Sequence, residues 1–280
     1  MKPTRIAFIG GAGRIGSAII DGLLAAKTFR PGQILITARH PDSLALWRKR
    51  GLRCTVRNAE AVRQAAIVIL CVHPEQVAEV VQEIAGVLTH RQLLLSVVTG
   101  LSTATLEEIV GQELRIVRAM PNTPVMVRQS MTCLARGRHA TARDLEIAQR
   151  IFAAVGEVAL LDEHYMDAAT GLGGCGPAFA FKIIEALTEG GIKVGLARTV
   201  ARKVAAQVLK GAAELVLRTG IHPAELKEQV ATPAGCTIDG LAKLEEHGLS
   251  IALIDAVETA TRKATQLFRS GGPEEKILDK

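Results

Sequence analysis

The chain has 280 residues, of which 48% are hydrophobic and 22% are charged, so its composition is that of an ordinary globular protein with room for two compact domains. Only 3% of the residues are aromatic, which argues against surfaces that bind nucleic acid by base stacking. The net charge of +6 comes from scattered Lys and Arg residues, a distribution that disfavours nucleic acid and fits attraction of a phosphorylated small molecule.

The first 120 residues alternate short β-branched apolar runs with segments of helical periodicity. Between the first two runs, one helical face carries Ile15, Ile19, Ile20, Leu23 and Leu24. Because parallel neighbouring strands need crossover helices, this alternation predicts an α/β Rossmann domain, with a doubly wound, mainly parallel sheet. The predicted strands are 5–10, 34–38, 66–72, 93–98 and 115–119.

The second half of the chain changes from mixed to helical character. Residues 131–161 read as two more strands around a helix at 142–154, and from residue 162 long patterns rich in Ala, Leu and Val predict an all-α C-terminal domain. An apolar helix face without a sheet to cover it predicts dimerisation through this domain. We therefore expect a Rossmann domain at 1–161, a dimerisation and substrate domain at 162–270 and a frayed tail at 271–280. One such face carries Val200, Val204, Val208, Ala212 and Leu215.

A G-x-G-x-x-G pattern follows the first predicted strand and opens the first predicted helix. Glycines at Gly11, Gly13 and Gly16 permit a tight turn and a close approach of backbone to a pyrophosphate, and the helix N-terminus offers free N–H groups to the anion. The alternative is a glycine turn with a purely structural role. The strand before it and the helix after it favour dinucleotide binding.

The end of the second predicted strand distinguishes the two nicotinamide cofactors. An acidic residue there binds the ribose hydroxyls, whereas an Arg accommodates a 2′-phosphate. The sequence has Arg39 there and no acid before Asp42, so we expect NADP(H), with NAD(H) as an alternative. The other interpretation is that Arg39 is a solvated surface residue.

Two later segments have unusual composition. Four glycines within residues 171–176 are costly to order, so either they allow a close backbone approach or they interrupt a helix, with Pro177 near the start of the next one. The segment 232–238 is small and polar and precedes a helical pattern, so its backbone N–H groups are suited to holding a carboxylate. The alternative for Thr237 is a simple N-cap.

Targeting and metal signals are weak. The five cysteines show no C-x-x-C pair or adjacent His ligands, which predicts reduced thiols and no metal site. No apolar run approaches the roughly 18 residues that span a bilayer, and no signal-peptide pattern is visible. We expect a cytoplasmic protein with no membrane and no nucleic-acid partner.

Six segments together resemble the pyrroline-5-carboxylate reductase family over nearly the whole chain. The resemblance implies a Rossmann domain followed by a helical dimerisation domain, with the substrate held between one subunit's nucleotide domain and its partner's helical domain. It also implies reduction of 1-pyrroline-5-carboxylate to L-proline, the last step of proline biosynthesis. The segments are 10–16, 58–60, 71–74, 120–124, 167–179 and 226–245.

The resemblance also assigns residues to the two ligands. In the family, the loop that matches 232–237 holds the substrate carboxylate, and the threonine that matches Thr237 lies near the ring nitrogen. The substrate residues are thus Thr232, Gly235, Cys236 and Thr237, with Thr237 catalytic. The cofactor residues are Gly11, Ala12, Gly13, Arg14, Ile15, Gly16, Arg39, Asn58, Cys71, Val72, His73, Pro74 and Asn122.

The chain departs from the family pattern at several of these positions. Family members usually carry serines where this chain has Gly173 and Cys175, and Ser-Pro-Gly-Gly where it has a Thr-Pro-Ala-Gly sequence with Ala234 third. A Lys is common at His73 and an Asn at Arg14. These changes leave open a reductase of a related cyclic imine, such as one with a six-membered ring.

The expected mechanism needs few protein groups. Hydride transfer to C=N requires an electron-poor carbon, which a protonated iminium already provides, so the protein mainly positions cofactor and imine within about 3 to 3.5 Å. We expect Thr237 to orient the imine nitrogen and relay a proton to it. A non-catalytic dinucleotide sensor is the alternative outside the enzymes.

Overall fold

The computed structural model describes residues 4–269. These residues form two compact units: the first runs to Cys175 and resumes at Thr259, and the second is Gly176–Glu258. The division falls after residue 175, whereas the sequence patterns change near residue 162, so the domain bounds 1–161 and 162–270 stay a prediction. The expected tail at 271–280 lies outside the described residues.

The first unit contains an eight-stranded sheet with the order β3-β2-β1-β4-β5-β6-β7-β8. All neighbours are parallel except β6 and β7, and the first six strands have the order typical of a dinucleotide-binding fold. The doubly wound, mainly parallel sheet is thereby confirmed. The strands are β1 (Ile6–Ile9), β2 (Ile34–Thr37), β3 (Arg53–Thr55), β4 (Ile67–Leu70), β5 (Leu93–Ser96), β6 (Arg115–Met120), β7 (Ser130–Arg136) and β8 (Gly156–Leu160).

Alternating residues along the central strands bury both faces of this sheet. In β1, Ile6 and Phe8 belong to one hydrophobic core, whereas Ala7 and Ile9 belong to the other, as the two-residue period of a strand requires. The short strand β3 was not predicted, because its three residues are partly or fully exposed and carry no apolar run. It extends the edge of the sheet next to β2.

The helices of the first unit follow the predicted alternation. Ile19, Ile20 and Leu23 of α1 are fully buried, and Ile15 and Leu24 pack against the same core, so the predicted apolar face is confirmed. The predicted helix at 142–154 is α6. The helices are α1 (Arg14–Ala25), α2 (Ala45–Lys49), α3 (Asn58–Arg63), α4 (Val77–Ala85), α5 (Thr103–Val110), α6 (Ala142–Phe152) and α7 (Met166–Ala169).

The second unit is helical and has almost no core of its own. Within Gly176–Glu258 the buried residues are Thr188, Ala201 and Ala205, all of them small. The predicted apolar face of the long helix α9 is present, but it is exposed, with Val204 and Val208 at 49% and 57%.

No described helix is both long enough and apolar enough to cross a membrane. The remaining helices are α8 (Gly176–Lys193), α9 (Arg198–Thr219), α10 (Pro223–Val230), α11 (Cys236–Glu246) and α12 (Leu249–Arg269).

Candidate functional site

The turn after β1 depends on glycine at several positions. Gly10 has a φ of +72°, which only glycine adopts at little cost. A Cβ on Gly11 would lie 2.5 Å from Phe8 Cβ, and one on Gly16 would lie 2.7 Å from the Gly11 carbonyl oxygen. These two glycines let the start of α1 pack tightly on β1, as the G-x-G-x-x-G pattern predicts.

The N-terminus of α1 is open to an anion. A Cβ on the exposed Gly13 would meet only the Gly10 carbonyl at 3.6 Å, so the space in front of this glycine is free. Gly13 is also the N-cap and provides no side-chain capping bond, so the first N–H groups of α1 are left for a ligand. This cradle fits the pyrophosphate of a dinucleotide.

The other residues of the motif have different surroundings. Ala12 and Ile15 are partly buried against the core beside β1. Arg14 is exposed and lines a separate groove that also includes Asp21 and Arg128. A contact between Arg14 and a cofactor stays a prediction.

A cavity of about 200 Å³ lies beside the turn, at the carboxyl ends of β1, β2 and β4. The structure brings Arg39, Asn58 and Val72 together there, three residues that the resemblance assigns to the cofactor. In sheets of this type, ligands bind outside the carboxyl ends of the strands where the strand order reverses. The full lining is Gly10, Thr37, Ala38, Arg39, Val56, Asn58, Val72, Gln76, Glu79, Val80 and Glu83.

A chain of hydrogen bonds connects the turn to this cavity. The Gly10 N–H donates to Thr37 Oγ1 at 3.0 Å, and Thr37 Oγ1 donates to Asn58 Oδ1 at 2.6 Å. On the other side of the amide, Asn58 Nδ2 donates to Glu83 Oε2 at 2.6 Å, and the Asn58 backbone N–H donates to Glu83 Oε1 at 2.9 Å. Neither Thr37 nor Glu83 was predicted, because neither stands in a recognisable motif.

The turn at 71–74 closes the cavity from the side of β4. The Cys71 N–H donates to the Ile9 carbonyl at 2.9 Å, which holds this turn against the end of β1. Burial raises the pKa of the Cys71 thiol well above its ordinary value, so this group stays a neutral thiol. His73 is exposed, with Nδ1 3.7 Å from Glu75 Oε2, and Pro74 starts a short 3-10 turn.

Asn122, predicted to lie near the cofactor, is buried and bonded to the start of β7 and to the glycine run. Its Oδ1 accepts hydrogen bonds from Ser130 Oγ at 3.2 Å and from the Met131 N–H at 3.1 Å, and its Nδ2 donates to the Gly173 carbonyl at 3.0 Å. The structure therefore gives Asn122 a positioning role, in which it ties the loop after β6 to the glycine run. Contact of its side chain with a ligand stays a prediction.

The glycine run both interrupts a helix and allows a close approach. Residues Thr170–Gly174 form a π-helical segment, in which the Cys175 N–H donates to the Thr170 carbonyl at 2.9 Å. A Cβ on Gly174 would lie 2.6 Å from Met120 Cε, so glycine lets this segment pack against the end of β6. Such π-helical insertions are frequent at functional sites.

The predicted substrate loop lies in the second unit and begins with a tight turn. The Gly235 N–H donates to the Thr232 carbonyl at 3.0 Å, and a Cβ on Gly235 would lie 2.4 Å from Thr232 Oγ1. Ala234 occupies the third position of this turn with a φ of +55°, a left-handed conformation that strongly favours glycine. The family pattern has glycine at this position.

The helix α11 starts directly after this turn. Gly235 is its N-cap and makes no side-chain capping bond, so the interpretation of Thr237 as the N-cap is wrong. Cys236 and the half-buried Thr237 are its first two residues, where backbone N–H groups lack partners within the helix. An open helix N-terminus with an adjacent hydroxyl is suited to a carboxylate.

A buried arginine that was not predicted connects β6 to the helices near the glycine run. Arg118 is 5% exposed, with Nη1 3.7 Å from Glu163 Oε1 and Nη2 3.8 Å from Asp167 Oδ1. Asp167 in turn accepts a hydrogen bond from Thr265 Oγ1 at 3.1 Å. Within residues 4–269, no group of three or more His, Cys, Asp or Glu side chains is arranged so that it could hold a metal ion.

Two family models match separate parts of the chain. Residues 163–267 match the model for pyrroline-5-carboxylate reductase dimerisation. Residues 5–100 match the model for NADP oxidoreductase, coenzyme F420-dependent. The first match covers the helical region, and the second covers the part that contains the glycine turn and the cavity.

Similar proteins cover nearly the whole chain. A pyrroline-5-carboxylate reductase of Methanosarcina acetivorans is 39% identical over 268 residues, which is 95% of this chain and 99% of that protein. A solved pyrroline-5-carboxylate reductase from Coxiella burnetii has a TM-score of 0.89 and 33% identity over 94% of this chain and 98% of that one. Pyrroline carboxylate reductase of Plasmodium falciparum, solved with NADP bound, has a TM-score of 0.85 and 30% identity over 95% of this chain and 99% of that one.

Proposed function

Because this chain belongs to the pyrroline-5-carboxylate reductase family, we propose that it reduces the C=N bond of 1-pyrroline-5-carboxylate to give L-proline. The observation that carries the proposal is the 39% identity to a reductase of that name across 95% of the chain. The reaction is the last step of proline biosynthesis. The enzyme is an oxidoreductase that acts on a CH–NH group with NAD(P) as cofactor.

The nucleotide cradle supports NADP(H) as the cofactor. The open N-terminus of α1 and the exposed Arg39 guanidinium offer hydrogen bonds and positive charge to phosphate groups. The Plasmodium falciparum relative was solved with NADP bound. When bound, the cofactor supplies the hydride that the reaction needs.

The substrate loop supports recognition of a small anionic ring. Reduction adds a hydride to the imine carbon and a proton to the imine nitrogen, and the substrate carboxylate provides a handle for orientation. We assign the carboxylate to Thr232, Gly235 and Cys236, because a glycine-capped helix N-terminus presents unpaired N–H groups there. Thr237 orients the imine nitrogen and relays its proton.

Self-association completes this description. The helical unit buries only three small residues, while large apolar side chains such as Leu217 and Val230 are 74% and 66% exposed. A helical unit without a core of its own needs a partner surface to be stable, and the family model that matches this region describes dimerisation.

All five cysteines are free, which supports a reducing compartment such as the cytoplasm.

An NADPH oxidation assay tests the function. Purified protein is mixed with NADPH and 1-pyrroline-5-carboxylate, absorbance of NADPH is followed, and proline is measured as the product. We expect turnover with this five-membered imine at a kcat/KM well above that for the six-membered cyclic imino acid. A higher kcat/KM for the six-membered ring would assign the chain to a related imine.

A second outcome separates the enzyme from a sensor. If the protein binds NADPH in a fluorescence titration but oxidises it with neither imine, a non-catalytic dinucleotide sensor is the correct description. Production of proline in step with NADPH consumption excludes the sensor.

A further inference from the structure

Glu83 makes two hydrogen bonds to one residue of the dinucleotide cavity. Both carboxylate oxygens accept from Asn58, one from the backbone N–H at 2.9 Å and one from Nδ2 at 2.6 Å. The two residues are 25 positions apart, on α4 and at the start of α3. Because the Glu83 carboxylate binds both the backbone N–H and the side-chain amide of Asn58, it fixes the main chain and the side chain of Asn58 together.

These contacts determine which way the Asn58 amide faces. A carboxylate only accepts hydrogen bonds, so the side-chain nitrogen must point to Glu83 and the oxygen must point to Thr37. The Thr37 hydroxyl accepts from the Gly10 N–H at 3.0 Å and donates to Asn58 Oδ1, which is consistent with this orientation. Glu83 therefore reaches, through Asn58 and Thr37, the glycine turn of the nucleotide cradle.

Glu83 also contributes charge to the cavity. The same cavity is lined by Arg39 and by two carboxylates, Glu79 and Glu83. An acid that faces the adenosine ribose favours two free hydroxyls and repels a 2′-phosphate, whereas an Arg does the opposite. In sequence the strand end carries only the Arg, but in space α4 brings carboxylates to the same cavity.

We propose that Glu83 is a specificity-determining and positioning residue of this cavity. It orients Asn58 for the adenosine ribose of either dinucleotide, and its charge opposes the preference for a 2′-phosphate that Arg39 provides. The cavity is thereby adapted to accept NADH as well as NADPH. This inference rests on the proposed dinucleotide-dependent function and adds a determinant of cofactor choice.

The test measures dinucleotide binding to the purified full-length protein, without imine. Dissociation constants for NADPH and NADH are determined by fluorescence titration for the wild type, Glu83→Gln and Glu79→Gln. Removing the charge next to Asn58 is expected to shift the ratio of the two constants about threefold to tenfold toward NADPH, from the lost repulsion of a nearby phosphate. Glu79→Gln removes the other carboxylate of the cavity lining, whereas the two bonds to Asn58 come from Glu83, so its ratio should shift less than that of Glu83→Gln.

A second variant separates position from charge. Glu83→Asp keeps the charge but withdraws it from Asn58, so both dinucleotides should bind more weakly with little change in the ratio. The same pattern in Asn58→Ala, with no further loss in the double variant, would confirm that Glu83 positions through Asn58. Melting temperatures without dinucleotide report any loss of folded protein separately.

Two results would overturn the inference. If the ratio of the NADPH and NADH dissociation constants is unchanged in Glu83→Gln, Glu83 only caps the start of α3. If the ratio shifts equally in Glu79→Gln, the effect comes from the total charge of the cavity and not from Glu83. Failure of the proposed function looks different, because the wild type would then bind dinucleotide and leave 1-pyrroline-5-carboxylate unreduced.

Discussion

At residue scale, Ala234 has a backbone conformation that its side chain disfavours. Its φ is +55° in the turn that leads into α11, where a Cβ costs on the order of 1 kcal/mol and glycine has no such penalty. We expect Ala234→Gly to raise the free energy of unfolding by about 0.5–1 kcal/mol, measured by urea denaturation. Ala206→Gly, at an exposed position inside α9, is the control and should lower it by a similar amount.

Variants at Thr237 test the proposed substrate-binding part of the site. Removing the hydroxyl in Thr237→Ala should cost about 1–3 kcal/mol of transition-state stabilisation, the contribution of one hydrogen bond near developing charge. This loss corresponds to a fall in kcat/KM of roughly 5-fold to 150-fold. Thr237→Ser keeps the hydroxyl and should retain most activity. An unchanged kcat/KM in the Ala variant would remove Thr237 from the mechanism.

A variant at Arg39 tests the proposed cofactor-binding part of the site. The structure places this exposed side chain in the lining of the dinucleotide cavity. This position is compatible with a partner of the 2′-phosphate and with a solvated surface residue. Arg39→Asp should raise the KM for NADPH about tenfold or more while changing the KM for NADH much less, because it removes a partner of the 2′-phosphate and adds a repelling charge. Equal changes for both cofactors would favour the surface-residue interpretation.

At the scale of elements, α6 starts with a capping box whose buried carboxylate also forms an ion pair. Asp144 accepts from the Thr141 N–H and Oγ1, each at 2.8 Å, and lies 3.0 Å from Arg115 Nη1. The Asp144 side chain is 1% exposed and that of Arg115 is 32% exposed, so removing the carboxylate leaves the partly exposed guanidinium without its ionic partner. Asp144→Ala should lower the free energy of unfolding by about 2–4 kcal/mol, measured by denaturation. Glu146→Ala, on the exposed face of α6, should change it by less than about 0.5 kcal/mol.

Elements with a strong local period were predictable, whereas short or irregular ones were not. The first helix was predicted with its buried face because Ile19, Ile20 and Leu23 repeat at the spacing of a helix. The strand β3 has three residues and no buried apolar pattern, so nothing in its sequence distinguishes it from a loop. It exists because β2 provides a free edge for pairing.

At the scale of the whole molecule, the exposed apolar face of α9 predicts that self-association of the chain depends on this face. Val204→Glu places a charge in the middle of this face, and we expect it to shift the protein toward monomers or aggregates with a lower melting temperature. Light scattering coupled to gel filtration measures the change. Lys210→Glu lies on the opposite side of the same helix and should leave the assembly intact, and dissociation of both variants would contradict a role specific to the apolar face.

The sequence by itself determined the class of the fold, the dinucleotide turn and the apolar face for self-association. These features depend on local rules: the two-residue period of a strand, the 3.6-residue period of a helix and the conformational freedom of glycine at positions such as Gly16. The family resemblance came from motifs whose order and spacing are themselves properties of the sequence.

Only the tertiary structure decided how the site is held in place. Glu83 contacts Asn58 across 25 residues, and Asn122 contacts Gly173 across 51, so no local pattern announces either pair. The left-handed backbone of Ala234 and the burial of Arg118 are likewise outcomes of folding. A hydrogen bond between distant residues depends on how helices and strands pack in space, and a single sequence carries that packing only implicitly.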